Sequence, residues 1–370
     1  MEVSMKNENK LTSIQFSCLI FFPIFAFFSG IGTHNLINIA KVDAYISVLL
    51  SYIMGLLPLG LFLLIFNYKK DLDIKDKIKY LFGKPLGIFI NYLIIVLLIL
   101  TAIVSFHGLS NFIISQLLTE TPITTFMFLI SLILIYNVSL GIENIARVSI
   151  IFLGIIISLT MLSTLGITPH FEASNLKPLL ENGITPPLKG GLVLTLTNVI
   201  PIFLLLTVPK NKIHNNNKTT KHIFFFYTLA FIFIFTAIFL TLSSLGIYLC
   251  DVYQYPEYTA LKKISFFNFI DRIENLIYVK WFLSSVITQA LIIYYLKNTV
   301  KKSSKFILPT IICIILTYLS IKLFKNNTIY YNFIINIYPY VSLLLLIIFI
   351  IIGLNIIIRK IMKLDTLIEE

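Results

Sequence analysis

Long apolar runs recur along the whole chain, and short polar stretches separate them. An α-helix needs about 18 or more predominantly apolar residues to cross a bilayer, and these runs have that length. They lack the alternation of a transmembrane β-strand, so a barrel is not expected. The pattern predicts an all-α polytopic membrane protein with ten transmembrane helices. The predicted spans are Thr12–Ala40, Ala44–Phe66, Pro85–Leu118, Ile123–Leu140, Glu143–Leu165, Gly190–Val208, His222–Cys250, Asn268–Leu296, Phe306–Phe324 and Asn336–Ile358.

The first span contains residues that disfavour a helix in its interior. Gly30 and Gly32 bracket Ile31, and Thr33 follows. Glycine destabilises a helix interior by about 1 kcal/mol relative to alanine, so the pair favours local unwinding. The alternative explanation is that the glycines only allow close helix packing.

The sixth span carries Asn198 and Pro201 at its centre. Pro201 frees a backbone carbonyl about one turn earlier, and that carbonyl or the Asn198 amide could accept a ligand ammonium. A simple proline kink, with Asn198 bonded to a neighbouring helix, is the alternative. Interrupted helices at matching places in two halves are typical of transporters with a site at the membrane midplane. The sequence therefore predicts a 5+5 inverted repeat with broken helices 1 and 6.

The polar stretches predict how this single integral membrane domain, residues 1–370, is laid out. The segment 67–84 is rich in lysine and aspartate, and its apolar residues share one helical face, as in a helix that lies in the membrane interface. The other predicted parts are a cytoplasmic tail at 1–10, spans one to five in 11–165, an extracytoplasmic connection at 166–189, spans six to ten in 190–358, and a cytoplasmic tail at 359–370.

Composition supports a membrane protein and locates its partners. The chain is 58% hydrophobic and 12% charged, whereas soluble domains are about a quarter charged. The net charge of +12 could suggest nucleic acid, but most lysines and arginines fall in loops on one side of the predicted spans. That asymmetry predicts both termini in the cytoplasm, with the lipid bilayer as partner and no nucleic acid.

The sequence shows no motif for catalysis, for a cofactor or for a metal. Cys18, Cys250 and Cys313 are scattered in or beside apolar segments, with no metal or redox spacing, so we interpret them as packing residues. No catalytic triad, phosphate loop or metal-ligand cluster is present in the sequence. We therefore expect no enzyme activity.

Six segments, spread over nearly the whole chain, resemble a known family by their order and spacing. They are Leu11–Gln15, Gly30–Thr33, Asp43–Ser47, Gly141–Arg147, Asn175–Gly183 and Phe269–Glu274, the last followed by Trp281. Together they resemble the spore germination permease family, the B subunit of nutrient germinant receptors. That family belongs to the amino acid–polyamine–organocation permease superfamily.

The resemblance implies both a fold and a role. It implies a ten-helix broken-helix permease fold with a pocket between spans one, three, six and eight. It also implies a small nutrient ligand such as an amino acid, and partner A and C subunits in the inner spore membrane. In span six the family often has a small residue followed by an acid. This chain has Asn198–Ile202 there, so the identity of the ligand does not carry over.

Several polar residues on the predicted spans are candidates for the ligand site. Backbone N–H groups at the break in span one could hold a carboxylate, and hydroxyls of spans three and eight could line the wall. Packing, or hydroxyl bonding to the residue's own helix, is the alternative. The candidate ligand-binding residues are Gly30, Ile31, Gly32, Thr33, Thr101, Ser105, Asn198, Pro201, Ser284 and Ser285.

Two further groups of polar residues have structural interpretations. Asp271, Arg272 and Glu274 are expected to form a structural or partner-contact network, with a proton relay as the alternative. His107 is a functional candidate because it lies at membrane depth, although the polar residues that follow it favour a satisfied structural histidine.

Two other functions remain open beside the receptor subunit that signals to its partners. One is a proton- or sodium-coupled amino acid transporter, and the other is a scaffold for partner subunits. A coupled transporter needs an ionisable group or an ion cage at depth. Apart from His107, the sequence places no titratable group clearly in the core, which favours the receptor.

Overall fold

The structure, a computed structural model, is nearly all helical. It describes residues 11–29, 31–214, 216–262, 274–300 and 304–362, without the side chains of Ile31 and Asn216. The α-helices are α1 Ser13–Cys18, α2 Phe21–Phe28, α3 Ile31–Ala40, α4 Ala44–Met54, α5 Leu56–Asn67, α6 Ile74–Phe82, α7 Lys84–Gln116, α8 Ile123–Ser139, α9 Ile142–Ile167, α10 Thr185–Leu194, α11 Thr219–Val252, α12 Pro256–Lys262, α13 Asn275–Asn298, α14 Ile307–Leu323, α15 Asn327–Asn336 and α16 Tyr338–Ile361.

Seven helical stretches in the described residues are long and apolar enough to cross a membrane. Three shorter apolar helical stretches accompany them, at Ser13–Phe28, Ile123–Ser139 and Ile307–Leu323. The first long stretch, Gly32–Asn67, contains the short 3-10 helix Lys41–Asp43, where a turn between two spans is predicted. The membrane class and the helical positions thus agree with the hydrophobic pattern.

The first predicted span is interrupted at Ser29, between α2 and α3. Ser29 has φ −56° and ψ 139°, outside the helical region, and its hydroxyl donates to the Phe25 carbonyl at 3.0 Å. The sequence places the break at Gly30–Gly32, but Gly32 is helical within α3 and Gly30 lies outside the described residues. Ser29, directly before the predicted break, is the non-helical residue that the structure describes here, and its N–H and hydroxyl both bond back to the Phe25 carbonyl of α2.

The sixth predicted span changes its winding at the predicted place. After α10, the chain forms a π-helical turn at Thr195–Val199 and then a 3-10 helix at Ile200–Thr207. Pro201 lies at the start of the 3-10 segment, where its missing N–H is tolerated. The helix of the sixth span therefore has a wider winding in the π turn and a tighter one in the 3-10 segment, and it remains helical throughout.

Small residues bring α10 close to α4. A Cβ atom at Gly190 would lie 2.7 Å from the Ser47 hydroxyl, and one at Gly191 would lie 3.1 Å from the Ser47 carbonyl. Any larger side chain would push the two helices apart, as expected where small residues line a membrane helix contact. The Asn198 amide donates to the Ile24 carbonyl of α2 at 2.8 Å, which ties the π turn to the first span.

A two-residue parallel β-pair ties the beginning of the chain to the connection after the sixth span. Strand β1, Leu11–Thr12, pairs with strand β2, Ile213–His214. The Thr12 side chain then caps α1, and the Ser13 hydroxyl bonds to the His222 ring at 2.8 Å. Both interrupted helices are thus fixed to each other on this side of the molecule.

Helix α6 confirms the predicted amphipathic helix in segment 67–84. Ile74, Ile78 and Leu81 are buried on one face. Lys77 is buried beside them and donates to the Ile65 carbonyl of α5 at 2.8 Å. Desolvation lowers the pKa of Lys77 to about 8, and the carbonyl at the end of α5 provides the compensating hydrogen bond.

Two helices lie where the sequence predicts loops. Helix α12, Pro256–Lys262, occupies the connection predicted as polar, and α15, Asn327–Asn336, precedes the predicted last span. Both are short helices with aromatic residues. Their packing against the spans, which a hydropathy window does not register, makes them part of the core.

Candidate functional site

A cavity of about 100 Å³, here called cavity one, lies beside the interruption at Ser29. Its walls come from α2, α3, α7, α10, the π turn, α13, α15 and α16. None of its lining side chains is charged. The polar lining residues are Ser29, Asn35, Asn38, Ser105, Thr197 and Asn198.

Asn35 and Ser105 are among the polar side chains of cavity one that are available to a ligand. The side-chain oxygen of Asn35 is buried and has no hydrogen-bond partner in the described part of the chain. Ser105 also lines the cavity and makes no side-chain hydrogen bond to the described residues. Because an unpaired buried acceptor costs about 1–3 kcal/mol, the Asn35 oxygen is a natural point for a donor group of a ligand.

Aromatic rings form the remaining wall of cavity one. Tyr338 stacks on Phe27 with ring centroids 5.8 Å apart, and the Tyr330 hydroxyl donates to the Val104 carbonyl at 3.1 Å. Trp281 faces the same cavity. Rings held in this way give cavity one an aromatic lining, as in small-molecule pockets.

A wider polar recess of about 300 Å³ lies next to cavity one. Asn38 separates the two, since it lines cavity one and its amide bonds to the His34 ring at 2.7 Å and to the Tyr331 hydroxyl at 3.2 Å. His34, Tyr331 and Asp251 line the recess. This contact of Asn38 is the point at which the recess and the cavity meet.

The structure brings three of the predicted site residues together in cavity one. Gly32, Ser105 and Asn198 line it. Asn198 is already bonded to the Ile24 carbonyl, and its oxygen accepts from the Thr197 hydroxyl at 2.7 Å. Asn198 therefore braces the cavity wall, which is the arrangement that the proline-kink alternative describes.

The other predicted site residues lie away from cavity one or outside the description. The hydroxyls of Thr101 and Ser284 bond to their own helices at 3.0 Å. Ser285 is buried and its hydroxyl has no partner in the described residues. Pro201 faces an apolar gap between α7 and α16, and Thr33 bonds to Glu257. Gly30, the Ile31 side chain, Asp271 and Arg272 lie outside the described residues, while Glu274 precedes α13.

His107 has the surroundings of a structural residue. It is buried, its ring bonds to the Ser320 hydroxyl at 3.1 Å, and it packs between the rings of Phe324 and Tyr330. It does not line cavity one. These contacts account for the polar side chain without a ligand.

A second cavity of about 40 Å³, here called cavity two, contains charges that the sequence does not reveal. Glu257 and Lys280 both line it, so the expectation that only His107 is titratable in the core is wrong. Glu257 follows Pro256 in a segment that looks like a loop, and Lys280 is a single charge within the predicted eighth span. The tyrosines around Glu257, Tyr255 and Tyr258, are the signal that could have indicated a packed helix.

In the described residues, no group of three or more His, Cys, Asp or Glu side chains could hold a metal ion. Cys18, Cys250 and Cys313 are free and buried. Cavity one can bind a small polar molecule through neutral groups and aromatic contacts.

Comparison with known sequences gives one consistent result. A family model described as "Spore germination protein" matches residues 10–329. Spore germination protein XB of Bacillus anthracis is 24% identical over 281 residues, which is 74% of this chain and 76% of the relative. Spore germination protein KB of Bacillus subtilis (strain 168) is 26% identical over 247 residues, 64% of each chain.

Comparison with solved structures identifies the fold. Two variants of the Eremococcus coleocola manganese transporter match with TM-scores of 0.62 and 0.60, at 13% and 14% identity. Each match covers 92% of this chain and 78% of the transporter chain. At such identity the likeness shows a transporter-like membrane fold and nothing about the substrate.

Proposed function

Because the chain belongs to the spore germination protein family, we propose that it is the B subunit of a nutrient germinant receptor. It binds a small nutrient in cavity one. Occupancy shifts the balance between conformations, and the partner A and C subunits detect that shift to trigger germination.

The observation that carries this proposal is the unpaired Asn35 oxygen in a cavity formed at an interrupted helix. Ser105 of α7 adds a hydroxyl to the lining, and Trp281 of α13 adds a ring. Polar groups without partners at the membrane core are costly to maintain, so their presence supports a binding role.

The neutral lining limits the chemical class of the ligand. A ligand with a net charge would meet no opposite charge in a cavity without charged side chains, and its desolvation would be uncompensated. A zwitterion has no net charge and can use carboxamide and hydroxyl groups at both ends. A small free amino acid therefore fits the cavity better than an anion or a cation.

The proposed setting is the inner membrane of the spore. The chain crosses it ten times as one permease-like domain, 1–370, with spans one to five and six to ten as inverted repeats. The tails at 1–10 and 359–370 lie in the cytoplasm, and 166–189 lies outside. Labelling of single cysteines placed at Lys177 and Lys212 with a membrane-impermeant maleimide tests this topology, since the three native cysteines are buried. We expect labelling from outside at Lys177 alone.

Deletion of the gene in a spore-forming host tests the receptor function. We expect the deleted spores to lose germination with at least one nutrient mixture, and an intact copy to restore it. Germination is measured as the fall in optical density of the spore suspension. Unchanged germination with every mixture contradicts the proposal.

Binding by the purified protein provides a direct test of cavity one. Trp281 is the single tryptophan of the chain and lines that cavity, so its emission reports occupancy without a label. We expect a saturable change with at least one member of a panel of free amino acids. An absence of response to the whole panel contradicts an amino acid ligand.

A coupled amino acid transporter is the second candidate function. Glu257 and Lys280 in cavity two favour it, since a coupled transporter needs titratable groups at depth. Uptake of a radiolabelled amino acid into proteoliposomes distinguishes the two. Accumulation driven by an imposed proton or sodium gradient would identify a transporter, whereas saturable binding without uptake would identify a receptor.

A further inference from the structure

Cavity two lies on the other side of the first interruption and has a charged lining. Ser29 lines both cavities, so the interruption itself forms the partition between them. Around cavity two, Glu257 and Lys280 are accompanied by hydroxyl groups of α9 and α11. Two opposite charges at an interrupted membrane helix suggest a role beyond packing.

Glu257 acts directly on the helix that restarts after the interruption. The Thr33 hydroxyl, in the first turn of α3, donates a hydrogen bond to the Glu257 carboxylate. An ionised carboxylate near a helix N-terminus is stabilised by the helix dipole, and it accepts a stronger hydrogen bond than the neutral acid does. The charge of Glu257 therefore influences the position of α3.

Lys280 faces Glu257 across cavity two without forming an ion pair with it. Its ammonium donates to the Ser163 hydroxyl at 3.3 Å, and no ion pair joins it to Glu257 among the described residues. The Thr160 hydroxyl in the same cavity is buried without a partner there. A cavity of about 40 Å³ with such groups has room for a water molecule that bridges them.

Lys280 is the charged group that acts on Glu257 from the helices around α12, in the described part of the chain. Asp251 of α11 pairs with Lys41 at 3.2 Å, and His34 of α3 bonds to the backbone of α11. Desolvation raises the pKa of the Glu257 carboxyl, while the Thr33 hydroxyl and Lys280 oppose that shift. The geometry and the charges thus agree on Glu257 as the group that titrates.

We propose that cavity two is a proton-binding site linked to cavity one, in which Glu257 takes up a proton that reaches it from solvent through bridging water and thereby releases the Thr33 end of α3. The proton adds to the carboxylate to give the neutral acid, and Lys280 keeps its charge. Movement of α3 changes cavity one, because Gly32 and Asn35 of the same helix line it. By reciprocity, occupancy of cavity one alters proton affinity by the same factor.

Trp281 makes the proposal testable in the full-length protein without any nutrient. Its ring lines cavity one and follows Lys280 in the chain. In nanodiscs, we expect its emission to follow a single protonation as the pH is varied, and this transition to be absent in Glu257→Gln. In Lys280→Met the midpoint should rise by about one pH unit, a tenfold change in proton affinity, because a stabilising positive charge is lost.

Two further variants keep the test decisive. Asp251→Asn is the matched control, since Asp251 pairs with Lys41 and its loss should leave the transition in place. Thr33→Val preserves size and the Glu257 carboxyl. Infrared difference spectra should therefore still show a titrating carboxylic acid, while the Trp281 response shrinks. A transition that persists in Glu257→Gln, or an unshifted midpoint in Lys280→Met, would overturn the proposal. Because no nutrient is present, neither result bears on the receptor function.

Discussion

The two interruptions differ in what they do with their polar groups. At Ser29 the chain leaves the helix and restarts as α3, and Asn35 on that helix keeps an unpaired oxygen in cavity one. In the sixth span the winding changes from π to 3-10, and Asn198 and Thr195 bond within the protein. In the proposed function, the first interruption offers groups to a ligand, whereas the second holds the wall of cavity one in place. Similar sequence signals, glycine or proline with polar neighbours, thus correspond to two different roles.

The largest effect should follow from filling cavity one at the first interruption. We expect Gly32→Leu to insert normally and to abolish the germination response, because its side chain occupies a cavity of about 100 Å³. A Cβ atom there would lie 3.2 Å from the Phe28 ring, a contact that a small shift relieves. The readout is germination of spores that carry the variant as the only copy of the gene.

The matched control for that substitution is Gly154→Leu. Gly154 lies in α9, and apart from its chain neighbours and the nearby backbone of its own helix, no heavy atom lies within 4 Å of a Cβ atom placed there. We expect an unchanged response from this variant. A normal response in Gly32→Leu would remove cavity one from the function and with it the contrast between the interruptions.

Asn35→Leu should separate binding from stability. The side-chain oxygen of Asn35 has no partner among the described residues, so its loss should leave the thermal unfolding midpoint nearly unchanged. The nutrient concentration for half-maximal germination should rise about tenfold, because a hydrogen bond to the ligand is lost. A large fall in the unfolding midpoint would instead mean that Asn35 is structural.

Asn198→Leu should show the opposite behaviour. Its amide donates to the Ile24 carbonyl at 2.8 Å, and loss of this buried bond should lower the free energy of unfolding by about 1–3 kcal/mol. Thermal unfolding in detergent measures the effect. Full stability together with lost nutrient response would place Asn198 among the ligand-binding residues, and the two interruptions would then have the same role.

The smallest effect should come from Pro201→Ala. Pro201 lies at the start of the 3-10 segment and faces an apolar gap away from cavity one. Alanine can adopt the same backbone conformation, so the free energy of unfolding should change by less than about 1 kcal/mol. Thermal unfolding and germination should both stay close to the unsubstituted protein. A marked loss of either would show that the change of winding depends on the proline itself.

The sequence predicts the membrane helices well because their signal is local. Long apolar runs specify the spans, and the residues of α6 show their amphipathic face in eight or nine consecutive positions. The family resemblance, which the match over residues 10–329 confirms, adds the transporter-like fold. The interruption at Ser29 directly precedes Gly30, where the sequence predicts the break.

The site is only partly predictable, because its walls come from distant parts of the chain. Tyr330 and Tyr338 reach cavity one from the last two helices, and no spacing rule links them to Ser29. The sequence does not indicate that Glu257 is buried, because α12 is too short to produce a periodic signal. Likewise, hydroxyls such as those of Thr101 and Ser284 can face a cavity or their own helix, and only the packed structure decides between these.

The parallel pairing of Leu11–Thr12 with Ile213–His214 has a mechanical consequence. It joins the beginning of the first interrupted span to the connection that follows the sixth span. A tilt of one span should therefore displace the other. A partner protein bound to the polar loop around Lys210–Lys212 would therefore be displaced by motion that originates at Ser29. In the proposed receptor, this short β-pair would transmit motion from cavity one to the protein surface.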